Sequence, residues 1–291
     1  MGLIEQTLIQ LVTAFIAFVL GVLISRLREI WAYFSARKFW RPLLRRDLTL
    51  VLGDGFPDLQ GFEESDVVGR GDLVGSYELT TKFAAMGFRR LQPVFADKMI
   101  GSDPSGAGLR KNLIVLGGPD ANSLTRYCLS RLNCTYLVEW LDAADSGSIS
   151  VGKISATRQI PELQPTRYAP AGLAAHRPEM DDENLVVRDY GVIIRARNPF
   201  LSPGAKDKRI VVIYGFYGFG TLAAVLYSLE RDFFREIQDT KEDIECIVTC
   251  DVVNDTPQRP RRTYLARYPA GTLGPDRPAG EVGTNLPDQC A

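Results

Sequence analysis

The stretch Arg209 to Glu230, RIVVIYGFYGFGTLAAVLYSLE, leaves few architectures open to this chain. Ile210 to Tyr214 is an unbroken, mostly β-branched apolar run, which predicts a strand buried on both faces of a parallel sheet. Gly215, Gly218 and Gly220 punctuate the loop that follows. From Thr221 onward, Leu222, Val225, Leu226 and Leu229 recur at helical spacing. A strand passing through glycines into a helix is the unit on which α/β folds build ligand sites. The helix N-terminus offers unpaired backbone N–H groups to an anion.

The same pattern occurs again upstream. Leu113 to Leu116 is apolar, Gly117-Gly118-Pro119-Asp120-Ala121-Asn122 is a tight polar loop, and Asn122 or Ser123 caps a helix to about Leu132. A third loop-to-helix junction holds Gly69, Gly71 and Asp72, with Asp72 as the N-cap of a helix from Leu73 to about Met86, closed by Gly87. Further strands are expected at Leu48 to Leu52, Leu91 to Ala96 (an edge strand, because of Pro93), Thr135 to Val138, Val186 to Ala196 and Ile244 to Val253. The helix after Gly220 is expected to run through Phe234. Residues 142–183 are rich in Gly, Ser, Pro and Ala and read as an irregular insertion, with a short hairpin near Ile149 to Ile154. Alternating strands and helices predict a Rossmann-like, mainly parallel three-layer α/β sandwich.

The N-terminus is of a different character. Gln6 to Ser25 carries no charge and is dominated by Leu, Ile, Val, Phe and Ala. Twenty residues at helical rise span ~30 Å, the thickness of a bilayer's hydrocarbon core. A cleaved signal peptide would want a basic leader and a small-residue cleavage site, whereas Glu5 is the one charged residue of the leader and no A-x-A follows. A buried helix of a globular core is the other alternative. Arg26, Arg28, Lys38, Arg41, Arg45 and Arg46 follow, against Glu29 and Asp47. The positive-inside rule then places the remainder in the cytoplasm, with Trp31, Tyr33 and Trp40 in an interfacial belt. The expected organisation is a single-pass transmembrane anchor with a basic stalk over 1–46, a cytosolic domain over 47–265, and a disordered Pro/Gly-rich tail over 266–291.

A formal charge of −1 argues against a generally basic nucleic-acid binder. The five cysteines show no paired C-x-x-C spacing and read as buried free thiols in a reducing compartment. His176 is the single histidine, in a Pro- and acid-rich loop. Hence a His-rich metal site is not evident and a Ser-His-Asp triad finds no partner motif.

GFYGFGT, Gly215 to Thr221, matches neither phosphate motif. It reads G-x-x-G-x-G rather than G-x-G-x-x-G, and Thr221 stands where a Walker A loop has its lysine. What remains is a loop whose N–H groups at Gly215, Gly218, Gly220 and Thr221 can hold a phosphate while Phe216, Tyr217 or Phe219 stacks on a base. The plainer reading is a glycine-tight turn with its aromatics in the core. In the second loop Gly117 and Gly118 allow close backbone approach, and Asp120 and Asn122 can bond a ribose or a base edge. Ordinary N-capping explains Asn122 equally well. Glu78, with Asp72 or Asp54, is the available acid/base set for cleavage of an N-glycosidic bond; a solvated helix glutamate and a capping aspartate are the bland alternatives. Arg195 and Arg197 can complement phosphate charge at the end of their strand, or lie on the surface.

The expected function is therefore a membrane-anchored domain that binds or senses a nucleotide-like or phosphate-bearing ligand. The lipid bilayer and neighbouring copies of the chain are the expected partners. In layout only, this is similar to bacterial membrane effectors that respond to nucleotide signals. The alternatives are a nucleotide or NAD-type N-glycoside hydrolase and a structural membrane scaffold whose glycine loops merely turn.

Overall fold

The computed structural model describes residues 3–43, 48–54, 69–86, 91, 93–101, 106–142, 149–151, 154–156, 159–183, 185–202, 205, 207–237, 241–274 and 284–285, with the side chains of the first helix described at 10–25, 36, 39 and 40. In chain order the elements are α1 (Leu3–Trp40), β1 (Leu48–Leu52), α2 (Arg70–Ala85), β2 (Pro93–Phe95), α3 (Ala96–Gly101), β3 (Asn112–Leu116), α4 (Ser123–Leu129) and β4 (Tyr136–Asp142). There follow β5 (Ile149–Val151), β6 (Ile154–Ala156), β7 (Gln159–Pro165), β8 (Glu179–Met180), β9 (Val186–Arg197) and β10 (Arg209–Gly215). The chain continues with α5 (Gly218–Ser228), α6 (Arg231–Glu236), β11 (Asp243–Val253), β12 (Thr256–Pro257), β13 (Arg261–Tyr268) and β14 (Thr284–Asn285).

One mixed sheet organises the domain, in the order β14-β13-β11-β9-β10-β3-β1-β2. The group β2, β1, β3 and β10 is parallel throughout. Beyond it β9 pairs antiparallel with β10, and β11 antiparallel with β9, so β11 again runs with β10. The carboxyl ends of β1, β3, β10 and β11 thus share one edge. The expected α/β architecture with a parallel sheet is present, extended by antiparallel strands that the apolar runs alone did not distinguish.

Strand residues alternate between two core layers, as the two-residue side-chain period requires. Leu116, Ile193, Val211 and Ile213 face a layer containing Leu79 and Phe83 of α2, Val225 of α5 and Phe233 of α6. Val115, Val192, Ile210 and Val212 face a second layer containing Met99, Leu124, Cys128, Tyr136 and Leu163. The second layer is closed by α3, α4 and the β4–β7 hairpin. Much of the expected irregular insertion is thus a hairpin that covers the sheet, with β5 and β6 paired within it. The C-terminal region also packs further than expected: β13 pairs with β11, and Ala266, Tyr268 and Leu273 are buried. Residues 275–283 and 286–291 of the expected tail lie outside the described residues. Cys128, Cys134, Cys246 and Cys250 are buried free thiols, as read from the sequence, and Cys290 lies outside the described residues.

Helix α1 has two unlike halves. At residues 10–25 every described side chain is exposed, with Leu11, Phe15 and Phe18 at 64%, 68% and 69%. Among the described residues no helix is long and apolar enough to cross a membrane. The described side chains at 10–25 cover about 24 Å of helix; the uncharged stretch of the sequence runs from Gln6 to Ser25 and is strongly apolar from about Leu11.

The other end of α1 belongs to the core. Ala36, Phe39, Trp40 and the following Leu43 are buried. Phe39 meets Phe233 edge-on at 4.9 Å between ring centroids, and Trp40 meets Phe83 at 5.0 Å. Trp40 is therefore a core residue and not part of an interfacial belt. Among the described side chains, those at Ala36, Phe39 and Trp40 already pack into the core, ahead of the expected boundary at 46/47. Arg195 completes the joint: its guanidinium donates to the Phe39 carbonyl at 3.2 Å and to the Glu242 carbonyl at 2.8 Å, and lies 4.7 Å from the Phe39 ring centre. The last carbonyls of a helix have no intrahelical donor, and a cation there complements the helix dipole.

Removal of Phe39 is expected to be felt by the whole domain. In denaturant titrations of the full chain in detergent, Phe39→Ala should lose about 3–5 kcal/mol, as for other buried Phe→Ala changes, and Phe15→Ala should leave the transition unmoved.

Candidate functional site

The three loop-to-helix junctions read from the sequence meet at the carboxyl edge of the parallel strands. α2 starts at Arg70 with Gly69 as its N-cap, which puts Asp72 inside the first turn and not at the cap. Gly71 packs backbone to backbone on α5: a Cβ added there would stand 2.0 Å from the Gly218 carbonyl oxygen. Asp72 reaches the second loop, with Oδ2 only 2.6 Å from where a Gly117 Cβ would be, and it bonds Thr221 of α5. Gly118 in turn lies close to Gly215, its Cβ position 3.4 Å from the Gly215 carbonyl oxygen.

The anion positions at two of these helix starts are already filled by the chain's own carboxylates. Asp189 of β9 is fully buried and accepts N–H bonds from Gly220 at 2.6 Å, Tyr217 at 3.2 Å and Tyr190 at 2.8 Å. It stands at the N-terminus of α5 where a phosphate was expected to bind. The close approach that permits this is steric as well, because a Cβ on Gly220 would lie 2.1 Å from the Tyr190 carbonyl oxygen. At α4, Asp54 Oδ2 accepts from Ser123 N at 2.7 Å, and Asn122 Oδ1 from Thr125 N at 3.0 Å. Asn122 also donates to the Leu116 carbonyl at 2.7 Å, and Thr125 to the Gly117 carbonyl at 2.8 Å. Capping accounts for Asn122, and Asp54 caps α4 through Oδ2. Phe216 is buried in the core and leaves base stacking to other residues.

Other expected site residues fall elsewhere. β9 runs against β10, so Arg197 pairs with Arg209 at the start of β10 while Gly191 pairs with Gly215 at its end. Arg195 and Arg197 therefore sit at the opposite edge, about 20 Å from the glycine loop for Arg197. Neither can complement a phosphate there, and Arg195 is committed to α1. Glu78 lies on α2, six residues beyond Asp72 in the sequence; at ~100° per residue the two side chains leave the helix about 120° apart, so they do not form a pair. The carboxylate that Asp72 does feel is the exposed Asp120. His176 is half-buried, its ring 5.5 Å from that of Tyr136 and 5.2 Å from that of Tyr190. No group of three or more metal-ligating side chains occurs among the described residues.

Beside the meeting point of α2 and α5 lies a cleft of about 360 Å³. It is lined by Gly69, Arg70, Gly71 and Val74 of the α2 end, Gly218, Phe219 and Leu222 of α5, and Asp255, Thr256 and Pro257 of the β11–β12 turn. Two features of this region were not anticipated. Asp255 lies two residues beyond the strand expected to end at Val253, in chain to which the sequence assigned no element. Asp189, at the head of α5, carried a usable signal: a carboxylate at the start of a strand whose Gly191–Ile194 run is apolar and buried must find donors.

Comparison with protein-family models, with curated proteins and with solved structures found no match.

Burial raises Asp189 from the ordinary 3.8 to about 7, although its three N–H donors pull the other way. Burial also raises Asp72 to about 6, aided by the charge of Asp120 and opposed by the Thr221 hydroxyl. Both groups hold a proton more tightly folded than unfolded. Their contribution to stability is complete below the unfolded value and is lost as pH rises through 6 and 7. Denaturant titrations of the full chain from about pH 4 to pH 8 should show stability falling by several kcal/mol, because each tenfold tightening of a group's hold on its proton is worth ~1.4 kcal/mol. Asp72→Asn should roughly halve the slope between about pH 4 and 6, where both groups contribute, and leave the part between pH 6 and 7 unchanged.

Proposed function

We propose that this chain is a membrane-anchored protein whose cytoplasmic α/β domain binds a nucleotide-like, phosphate-bearing small molecule. The observation that carries the reading is the meeting of three glycine junctions, at Gly71, Gly117 and Gly218, on one sheet edge, where Gly71 and Gly218 line a cleft that the Gly117 loop does not border. In open α/β sheets that edge is where ligands are bound. Asp189 and Asp54 close the inner N–H positions, so the ligand is outside the loops, in the cleft. Asp255 is the one carboxylate lining the cleft among the described residues, and Asp72 is buried away from it. This favours binding over glycoside cleavage by a carboxylate pair. Calorimetry on the full chain in detergent, with mono-, di- and cyclic nucleotides, should detect a saturable site; silence across the panel would remove the reading.

The anchor rests on the exposure of α1. The stretch of this apolar helix at residues 10–25 is exposed on all sides, and a lipid environment covers such a surface. Lys and Arg clustered just after the apolar stretch support a cytoplasmic domain. Membranes carrying the full chain should retain it through alkaline extraction, and a chain lacking residues 1–25 should be released. Release of the full chain by alkali would overturn the anchor.

A further inference from the structure

We propose that the cleft between α2, α5 and the β11–β12 turn is a site for a single nucleoside monophosphate. In this arrangement the base lies against Phe219 and Leu222, the sugar hydroxyls bond Asp255 and the phosphate meets Arg70. The inference rests on the ligand-binding reading above and narrows it to a place, a size and a chemical class.

Size comes first. At about 360 Å³ the cleft is at the small end of small-molecule sites, which suits one nucleotide and not a dinucleotide. Its lining comes next. Val74, Phe219, Leu222 and Pro257 form apolar walls, and Phe219 supplies an aromatic surface for a base. Two charged side chains line the same space, Arg70 and Asp255, both exposed. A guanidinium forks onto phosphate oxygens, and a carboxylate accepts from the two hydroxyls of a ribose.

The position of Arg70 is informative in its own right. It is the first residue of α2, where the helix dipole disfavours a cation. Departures from local preference concentrate at functional or strained positions. Arg70 also lies where the starts of α2 and α5 meet, and the inner N–H groups of α5 at Tyr217 and Gly220 are taken by Asp189. An anion approaching this edge is left with the outer rim, which Arg70 occupies. Across the cleft Asn254 and Asp255 both hold left-handed backbone, with φ of 49° and 55°. Few residue types other than glycine, Asn and Asp accept that conformation. The hairpin thus turns tightly enough to bring Asp255 over α5.

The test is equilibrium binding to the full chain in detergent, with AMP, GMP, CMP and UMP, their 2′-deoxy forms, the 3′,5′-cyclic forms of AMP and GMP, the free nucleosides, inorganic phosphate and NAD as probes. The expected result is saturable binding of monophosphates, weaker binding of nucleosides and of phosphate alone, and no binding of NAD. Arg70→Glu, at an exposed position, should weaken monophosphates by about tenfold or more while sparing nucleosides. Asp255→Asn keeps a residue that tolerates the turn and should erase the preference for ribose over deoxyribose. Leu222→Trp should fill the cleft and abolish binding, with an unfolding transition confirming that the variant is folded. Monophosphate binding that survives Arg70→Glu and Leu222→Trp undiminished would overturn the assignment to this cleft while leaving a ligand-binding domain. Binding of cyclic or dinucleotides alone would do the same, and no binding by any nucleotide would overturn both.

Discussion

The buried carboxylate of Asp189 at the head of α5 is the interaction around which the domain is arranged. It lies near the start of β9 in the middle of the sheet and holds Tyr217 and Gly220 by their N–H groups. A carboxylate removed from water is tolerable only if its oxygens are well supplied with donors, and a helix start supplies them without loss of any other bond. Farther along the same strand, Arg195 donates to the carbonyl of Phe39 at the end of α1. One strand thus presents an acidic group to the N-terminus of one helix and a cation to the C-terminus of another, each matched to the helix dipole. β9 locks α5 and α1 onto the sheet by their ends.

The same device recurs around the molecule. Asp54 caps α4 at Ser123. Glu245, fully buried, accepts from Thr135 N and Tyr136 N at 2.8 Å each and fixes the start of the β4–β7 hairpin. Asp243 pairs with the buried Arg209 at 2.7 Å and accepts from Leu273 N at 3.1 Å, which pins the chain after β13. Loops that a sequence leaves free are in this way tied to sheet residues far away along the chain. For function the consequence is restrictive: positions at the starts of α4 and α5 that resemble phosphate cradles are filled from within.

The strands were legible because Ile210 to Tyr214, Leu113 to Leu116 and Leu48 to Leu52 are apolar runs whose burial leaves little else for them to be. β13 escaped because RRTYLARY mixes arginines into its alternation and follows Pro-rich chain; Arg261 meets Asp251 at 2.6 Å, and Arg262 pairs with Glu236. The helix expected through Phe234 is interrupted at Leu229 and Glu230 and resumes as α6, a break that apolar spacing does not record. At the site the glycine junctions were readable as junctions. That their backbones touch, as Gly71 and Gly218 do, was not, because contact between segments so distant in the chain has no periodicity.

By itself the sequence determined the apolar central strands, the glycine junctions at which α2, α4 and α5 begin, and that an uncharged apolar stretch precedes a basic one. These are consequences of side-chain hydrophobicity and its period, which act locally. Only the tertiary structure decided what each charged residue does. Asp189 became a cap, Arg195 a joint to α1, and Arg70 and Asp255 the two charges of a cleft. The reason is that the energy of a charge depends on the donors and acceptors within a few ångströms of it, and those come from elements that only the folded sheet brings together.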